Sequence, residues 1–253
     1  MTEMIHREDV GDLAVIRLAY GRVSALDTAL CEALSQELGS VASSPARGVI
    51  LTGTGSAFSA GVDLFQVLDG GADYLARFLP AMETFFRALL TFPKPVVAAV
   101  NGHAIAGGCI TAAACDHRIM AEGTGRIGVP ELAVGVPFPA LAFEIVGARV
   151  QPTMFRQLVY GGRTVLPAEA LQLGLVDELS PPDLLMTRAQ QATEQLAQIP
   201  AITFALTKRT FTEPLLARVH AAASLNDDVL RAWQSPEVQA RMRHYVEKTV
   251  GKK

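Results

Sequence analysis

Twice in this chain a short apolar run breaks off in a glycine-punctuated turn and leads into a helix-forming stretch. The first case is Arg47–Leu51 (RGVIL), followed by Thr52-Gly53-Thr54-Gly55-Ser56 and then Ser59-Ala60-Gly61. The second is Val96–Val100 (VVAAV), turned by Asn101-Gly102 and followed by Ala106-Gly107-Gly108 at the head of an Ala-rich segment. Strands joined through helices run parallel, and parallel sheets are covered on both faces. The repeat therefore predicts an α/β protein built on a mainly parallel sheet.

The surrounding segments agree. Leu13–Leu18 (LAVIRL) and Gly48–Leu51 read as strands, and Thr28–Val41 reads as a helix capped by Asp27 or Thr28. Asp73–Leu90 reads as a longer amphipathic helix stopped by Phe92-Pro93-Lys94-Pro95. Past Arg149, strand signals shrink to short pieces around Leu175-Val176. Helical stretches then follow one another over 152–159, 167–173, 183–198, 202–210, 214–233 and 236–248. The expected division is a core over 1–190 and a helical region over 191–253.

Composition excludes several classes. At 253 residues, half of them hydrophobic and 19% charged, the chain can bury a proper core and is not of disordered type. Its apolar runs are too short to span a bilayer, so no membrane role is expected. A net charge of −3 without a Lys/Arg cluster argues against a nucleic-acid partner. Residues 1–9 hold no apolar run of signal-peptide type. Cys31, Cys109 and Cys115 are odd in number and lack CxxC spacing, which suits reduced structural thiols in a cytoplasmic protein and no metal site.

Glycine turns between strand and helix aim backbone N–H groups at something negative: a phosphate, an oxyanion, or nothing beyond the turn itself. The dinucleotide fingerprint GxGxxG fails, because Phe58 stands where the third glycine belongs, and no GK[ST] follows. Side by side at the strand ends, the two turns would let Ala60 and Gly107 present two N–H groups to one oxygen. Proton transfer needs a further group, and Arg126–Val136 (RIGVPELAVGV) sets Glu131 among apolar residues. Such a carboxylate either faces solvent or is desolvated with a raised pKa suited to acid–base work near neutrality. These residues alone leave both readings open.

The segments GTGSAFSAGVDL (53–64), PKPVVAAVNGHAIAGGC (93–109), CDHRIMA (115–121), GVPELAVGVPF (128–138) and GRTVLPAEALQLGLVDEL (162–179), in this order, resemble the crotonase (enoyl-CoA hydratase/isomerase) superfamily. The resemblance covers nearly the whole chain. It implies a spiral of ββα units, a C-terminal helical region used in assembly of a homotrimer or a dimer of trimers, and an acyl-CoA thioester substrate. Coenzyme A is then part of the substrate, and no separate cofactor is expected. Carried over position by position, it makes Ala60 and Gly107 the oxyanion-hole donors and Glu131 the catalytic carboxylate. It also lays Ala60, Gly61, Val62, Asp63 and Leu64 against the CoA moiety.

One departure narrows the reaction. The second catalytic glutamate of the hydratases falls at Ile110, which transfers no proton. Water addition uses two carboxylates, whereas moving a double bond from the 3 to the 2 position needs one base and an oxyanion hole. The resemblance therefore implies Δ3-Δ2-enoyl-CoA isomerisation. The acidic residue of the dienoyl-CoA isomerase and dehalogenase branches would fall near Pro139, so those activities are not expected. Two alternatives stand beside this: a hydratase-like or other thioester reaction with Glu83 or Glu144 entering the site, and acyl-CoA binding without turnover. His103, Asp63, Trp233 and an Asp116–Arg118 pair are expected in structural roles, and Arg22, Lys208 and Arg209 on a solvated face.

Overall fold

The computed structural model describes residues 4–249. Along the chain come β1 (Ile5–Val10), β2 (Leu13–Leu18), α1 (Thr28–Ala42), β3 (Gly48–Thr52), β4 (Ala57–Ser59), α2 (Leu64–Leu90), β5 (Val96–Val100), β6 (His103–Ile105), α3 (Gly107–Ala114), β7 (His117–Ala121), β8 (Ile127–Gly128) and α4 (Glu131–Val134). They are followed by α5 (Ala140–Gly147), α6 (Pro152–Tyr160), β9 (Thr164–Val165), α7 (Pro167–Leu173), β10 (Glu178–Ser180), α8 (Leu185–Ala197), α9 (Ala201–Ala221), α10 (Ala223–Gln234) and α11 (Pro236–Thr249). The larger sheet has the order β1-β2-β3-β5-β7-β10; β1 is antiparallel to β2 and every other pairing is parallel. A smaller sheet, β4-β6-β8-β9, is parallel except for β9.

The ββα spiral is visible in the order of the strands. In β3-β4-α2, β5-β6-α3 and β7-β8-α4, the first strand of each unit enters the large sheet and the second enters the small one. Each glycine turn thus carries the chain from one sheet to the other before its helix begins. That arrangement brings the two turns together, because β3 neighbours β5 and β4 neighbours β6.

Alternation along the strands explains why both faces of the large sheet are covered. Ala14, Ile16, Val49, Leu51, Val96, Ala98 and Val100 join the main core, with Leu30 and Leu34 of α1 and Phe78 and Phe85 of α2. Their neighbours Leu13, Val15, Ile50, Val97, Ala99 and Ile119 face the other way, onto Leu185 and Ala189 of α8. A strand's period of two turns near-continuous apolar runs such as VVAAV into two packed faces. Asp27 caps α1, its side chain accepting from Leu30 N at 2.8 Å.

Several elements differ from expectation. Helix α2 starts at Leu64 rather than Asp73, with a break at Gly71 (φ 58°, ψ −146°) between its two parts. Leu175-Val176 is not a strand; the short pieces there are β9 and β10. The expected helix start at Pro214 is instead the interior of α9, whose buried stripe Lys208, Thr212, Leu215, Val219 runs straight across the proline. An interior proline costs about 3 kcal/mol of helix stability, and the packing of that stripe outweighs it. Helix α5 and the edge strand β1 were not anticipated. Residues 201–249 form α9, α10 and α11, and α10 and α11 pack back onto α2.

Candidate active site

Stretches remote in sequence wall one cavity of about 700 Å³: the loop from Tyr20 to Ala25, the segment from Ala60 to Phe65, the head of α3, the short helix α4, and residues of α10 and α11. The cavity lies where the turns leave the large sheet. Ala60, Val62, Asp63, Leu64, Gly107 and Glu131, all singled out by sequence, line it; Gly61 lies directly behind the wall.

The two turns meet through their backbones. Gly61 has φ +81°, and a β-carbon there would stand 2.3 Å from Ile105 O and 3.0 Å from Gly107 N. Only glycine fits that approach. A β-carbon on Gly107 would stand 2.8 Å from Leu26 Cδ1 and 3.7 Å from Val62 N, so the turns are nearly in contact. Ala106, just before Gly107, is held at φ 49°, ψ −119°, a sparsely populated conformation pinned by Ala106 N donating to Gly128 O and Ile110 N donating to Ala106 O.

The expected donor role of Ala60 is corrected. The Ala60 N–H donates to Val23 O at 2.9 Å and has nothing left for a ligand. The available group is two residues on. Leu26 N donates to Gly61 O at 2.7 Å and Asp63 N to Leu26 O at 2.9 Å, a parallel bridge that uses the groups flanking Val62 but not its own N–H. Gly61's left-handed φ breaks the strand-like alternation, so residues 60 and 62, which would face one way in a regular strand, face different partners. Gly107, as the first residue of α3, also has no intrahelical acceptor. Val62 and Gly107, not Ala60 and Gly107, are the paired free donors.

Ser59 holds this arrangement and was not singled out for it. Its buried hydroxyl donates to Ser24 O at 2.8 Å and accepts from Gly61 N at 3.2 Å, tying the mouth loop to the turn. The signal was present as a serine directly before Ala-Gly, but its partner Ser24 lies far back in the chain.

Glu131 begins α4, positioned by β8 and by Pro130. Its main-chain oxygen accepts from Gly135 N and Val136 N, both at 2.9 Å, with Gly135 in the left-handed region closing the helix. The side chain is 6% exposed, and Oε2 has no hydrogen-bond partner. Burial among Val134, Val136, Ile110 and Pro130 pushes its pKa up to about 8, because the charged form loses water and gains no cation. The solvent-facing alternative for this carboxylate is thereby removed. Ile110, also in the cavity wall, offers only hydrocarbon.

The remaining residues sort as follows. Asp63 caps α2, its carboxylate accepting from Phe65 N at 3.0 Å and Gln66 N at 3.1 Å. His103 lies outside the cavity, its Nδ1 accepting from Arg126 N. Asp116 and Arg118 do not pair: Arg118 binds Asp177 at 2.6 Å and Asp116 binds Lys208 at 2.8 Å. Lys208 is therefore buried rather than solvated, while Arg209 is exposed and paired with Glu213. Arg22 is exposed and lies on the cavity rim. Glu83 pairs with Arg87 and Glu144 with Arg218, and neither lines the cavity. Trp233 packs as expected, donating from Nε1 to Pro137 O at 3.0 Å, but it also lines the cavity with Tyr245 and Val246. The three cysteines are buried and free.

A ββα spiral of two sheets, with paired backbone donors and a desolvated carboxylate at the strand ends, defines a crotonase-fold protein. The chain belongs to the enoyl-CoA hydratase/isomerase family, whose model matches residues 9–252. It is 28% identical over 95% of its length to the short-chain-enoyl-CoA hydratase of Clostridium acetobutylicum, covering 94% of that protein. It is 31% identical over 69% of its length to the 2,3-dehydroadipyl-CoA hydratase of Escherichia coli, covering 68% of that protein. Among solved structures, the human mitochondrial Δ3-Δ2-enoyl-CoA isomerase superposes with a TM-score of 0.95 at 26% identity, over 99% of this chain and 100% of that one. Among the described residues, no helix is long and apolar enough to cross a membrane.

Proposed function

We propose that this member of the family catalyses Δ3-Δ2-enoyl-CoA isomerisation through Glu131. The observation that carries the reading is a cavity with one desolvated carboxylate on its wall and hydrocarbon, Ile110, at the position where hydratases hold a second. Ionised Glu131 removes a proton from C2 of a 3-enoyl thioester. The electron pair of the C2–H bond moves toward the thioester, and the carbonyl oxygen gains charge as a dienolate. The Val62 and Gly107 N–H groups stabilise that oxygen. Protonated Glu131 then returns the proton to C4, leaving the double bond between C2 and C3. No water is consumed, so one carboxylate suffices.

The high TM-score against a protein named as an isomerase supports this reading, although the two curated relatives above are named as hydratases. The hydratase-like alternative loses its proposed second carboxylate, because Glu83 and Glu144 are engaged elsewhere. The test is to supply 3-hexenoyl-CoA and measure 2-hexenoyl-CoA. Formation of 2-enoyl product that is lost in Glu131→Gln supports the proposal; wild-type rates in that variant refute it.

A further inference from the structure

We propose that a second cavity, at the other end of α3 from the candidate active site, binds an organic carboxylate with an apolar body, the carboxylate on Arg149 and the body against α8 and α9. This cavity measures about 730 Å³ and shares no lining residue with the first. Gly107 and Ile110 of α3 line the first cavity and Ala114 lines the second, so the length of that helix separates them. The site is independent of the isomerase reading.

Arg149 is a cation without a counterion. Its guanidinium reaches back to the end of α3, where Nε donates to Ala113 O at 2.8 Å and Nη2 to Cys115 O at 3.0 Å. Those two carbonyls fix the plane of the fork, and Nη1 is left without a partner among the described residues. The carboxylates that act on it are already engaged. Asp116 holds Lys208 Nζ and accepts from Val96 N, both at 2.8 Å. Asp177 holds Arg118 at 2.6 Å, with His117 Nδ1 at 3.5 Å. Burial, and after it the Arg118 charge, lowers the Arg149 pKa to about 10, which leaves the group charged at neutral pH. A desolvated charge without a counterion is costly. A carboxylate removes that cost by accepting from the free end of the fork in a charge-assisted hydrogen bond.

The remaining wall favours an apolar body over a bare ion. Leu90, Ala114, Lys208 and Thr212 are buried and mark the floor, whereas Gln195, Ile199, Thr207 and Phe211 are exposed and mark the rim. Leu196, Ile199, Phe204 and Phe211 supply hydrocarbon between floor and rim. Phe211 is 77% exposed, so its ring gains from any apolar group laid over it. Lys208 Nζ stands 6.0 Å from the centroid of the Phe204 ring and adds positive field beside the same wall. An ammonium head would meet Arg149 and Lys208 as like charges, and acetate would leave the apolar wall uncovered.

The experiment titrates octanoate, acetate and octylammonium into the full chain by calorimetry. Octanoate should bind, and acetate and octylammonium should each bind at least about tenfold more weakly. Arg149→Met should weaken octanoate about tenfold or more. Phe211→Ser should weaken it about threefold or more; this change lies on the exposed rim and decides the matter where Arg149→Met fails to fold. Octanoate seated instead in the first cavity would bind both variants as tightly as wild type, which would overturn the proposal. Octylammonium binding as tightly as octanoate, or no octanoate binding, would overturn it too. Sedimentation velocity on the same samples identifies one cause of failure: a self-associated chain that excludes octanoate would mean that a second copy covers this face.

Discussion

Val62 and Gly107 bring two unpaired backbone N–H groups to one wall of the cavity, with a Gly107 β-carbon position only 3.7 Å from the Val62 nitrogen. The pairing depends on Gly61, whose left-handed φ lets the first turn lie against the second.

Replacing the Val62 N–H by an ester oxygen, with the side chain retained, isolates that donor. Loss of one oxyanion donor lowers kcat by about 10²–10³. The same replacement at Ala60 should instead cost about 1 kcal/mol of stability through the lost bond to Val23 O, with a much smaller effect on kcat. A larger kcat loss at Ala60 than at Val62 would restore the original assignment.

In the proposed isomerisation Glu131 takes the C2 proton only when ionised, and burial pushes its pKa up to about 8. The kcat/KM for 3-enoyl-CoA should therefore rise with pH and level off above about pH 8. Glu131→Gln should lose about 10²–10⁴ in rate and the pH dependence with it. A wild-type profile flat from pH 6 to 9, taken as about the usable range for this titration, would contradict the assignment.

The same shift predicts a stability effect of definite sign. The folded pKa of about 8 lies above the ordinary 4.5, so the folded state favours protonated Glu131. That stabilisation is complete below about pH 4.5 and is lost as pH rises to about 8. Glu131→Gln, uncharged throughout, should gain stability relative to wild type across this window, by an amount on the order of a few kcal/mol at its upper end. Urea denaturation of both proteins at the two ends of the window measures it.

Ile110→Glu would add a second carboxylate to the cavity that Glu131 lines. Hydration of 2-butenoyl-CoA should rise by about 10²-fold or more over wild type, at a cost of a few kcal/mol for a carboxylate placed where Ile110 is 3% exposed. Unchanged hydration in a folded variant would mean that Ile110 is not what limits the reaction.

Ser59→Ala should destabilise the protein by about 1–3 kcal/mol, since Ser24 O and Gly61 N both lose a buried partner. Because Gly61 sets the direction of the Val62 N–H, kcat should fall more than KM rises. An effect on KM alone would assign Ser59 to the mouth loop only.

The sequence by itself determined the α/β class, the parallel strands β2, β3 and β5, and the family, and it singled out Glu131 as a carboxylate set among apolar residues. These follow from local pattern and from motifs contiguous in the chain. VVAAV has two apolar faces wherever it packs, and AGG before an Ala-rich run opens a helix in any context. Tertiary structure alone decided which N–H of the first turn is free. That choice depends on Val23 and Leu26, which approach Ala60 and Val62 from a distant loop and satisfy one group while leaving the other. It also decided that Glu131 is desolvated, since burial is a property of the walls that close around a side chain. It placed Trp233, Tyr245 and Val246 in the cavity through the return of α10 and α11 onto α2. The partners of Asp116, Arg118 and Lys208 were settled the same way: ion pairs form between whichever charges packing brings within reach, and no spacing along the chain encodes that.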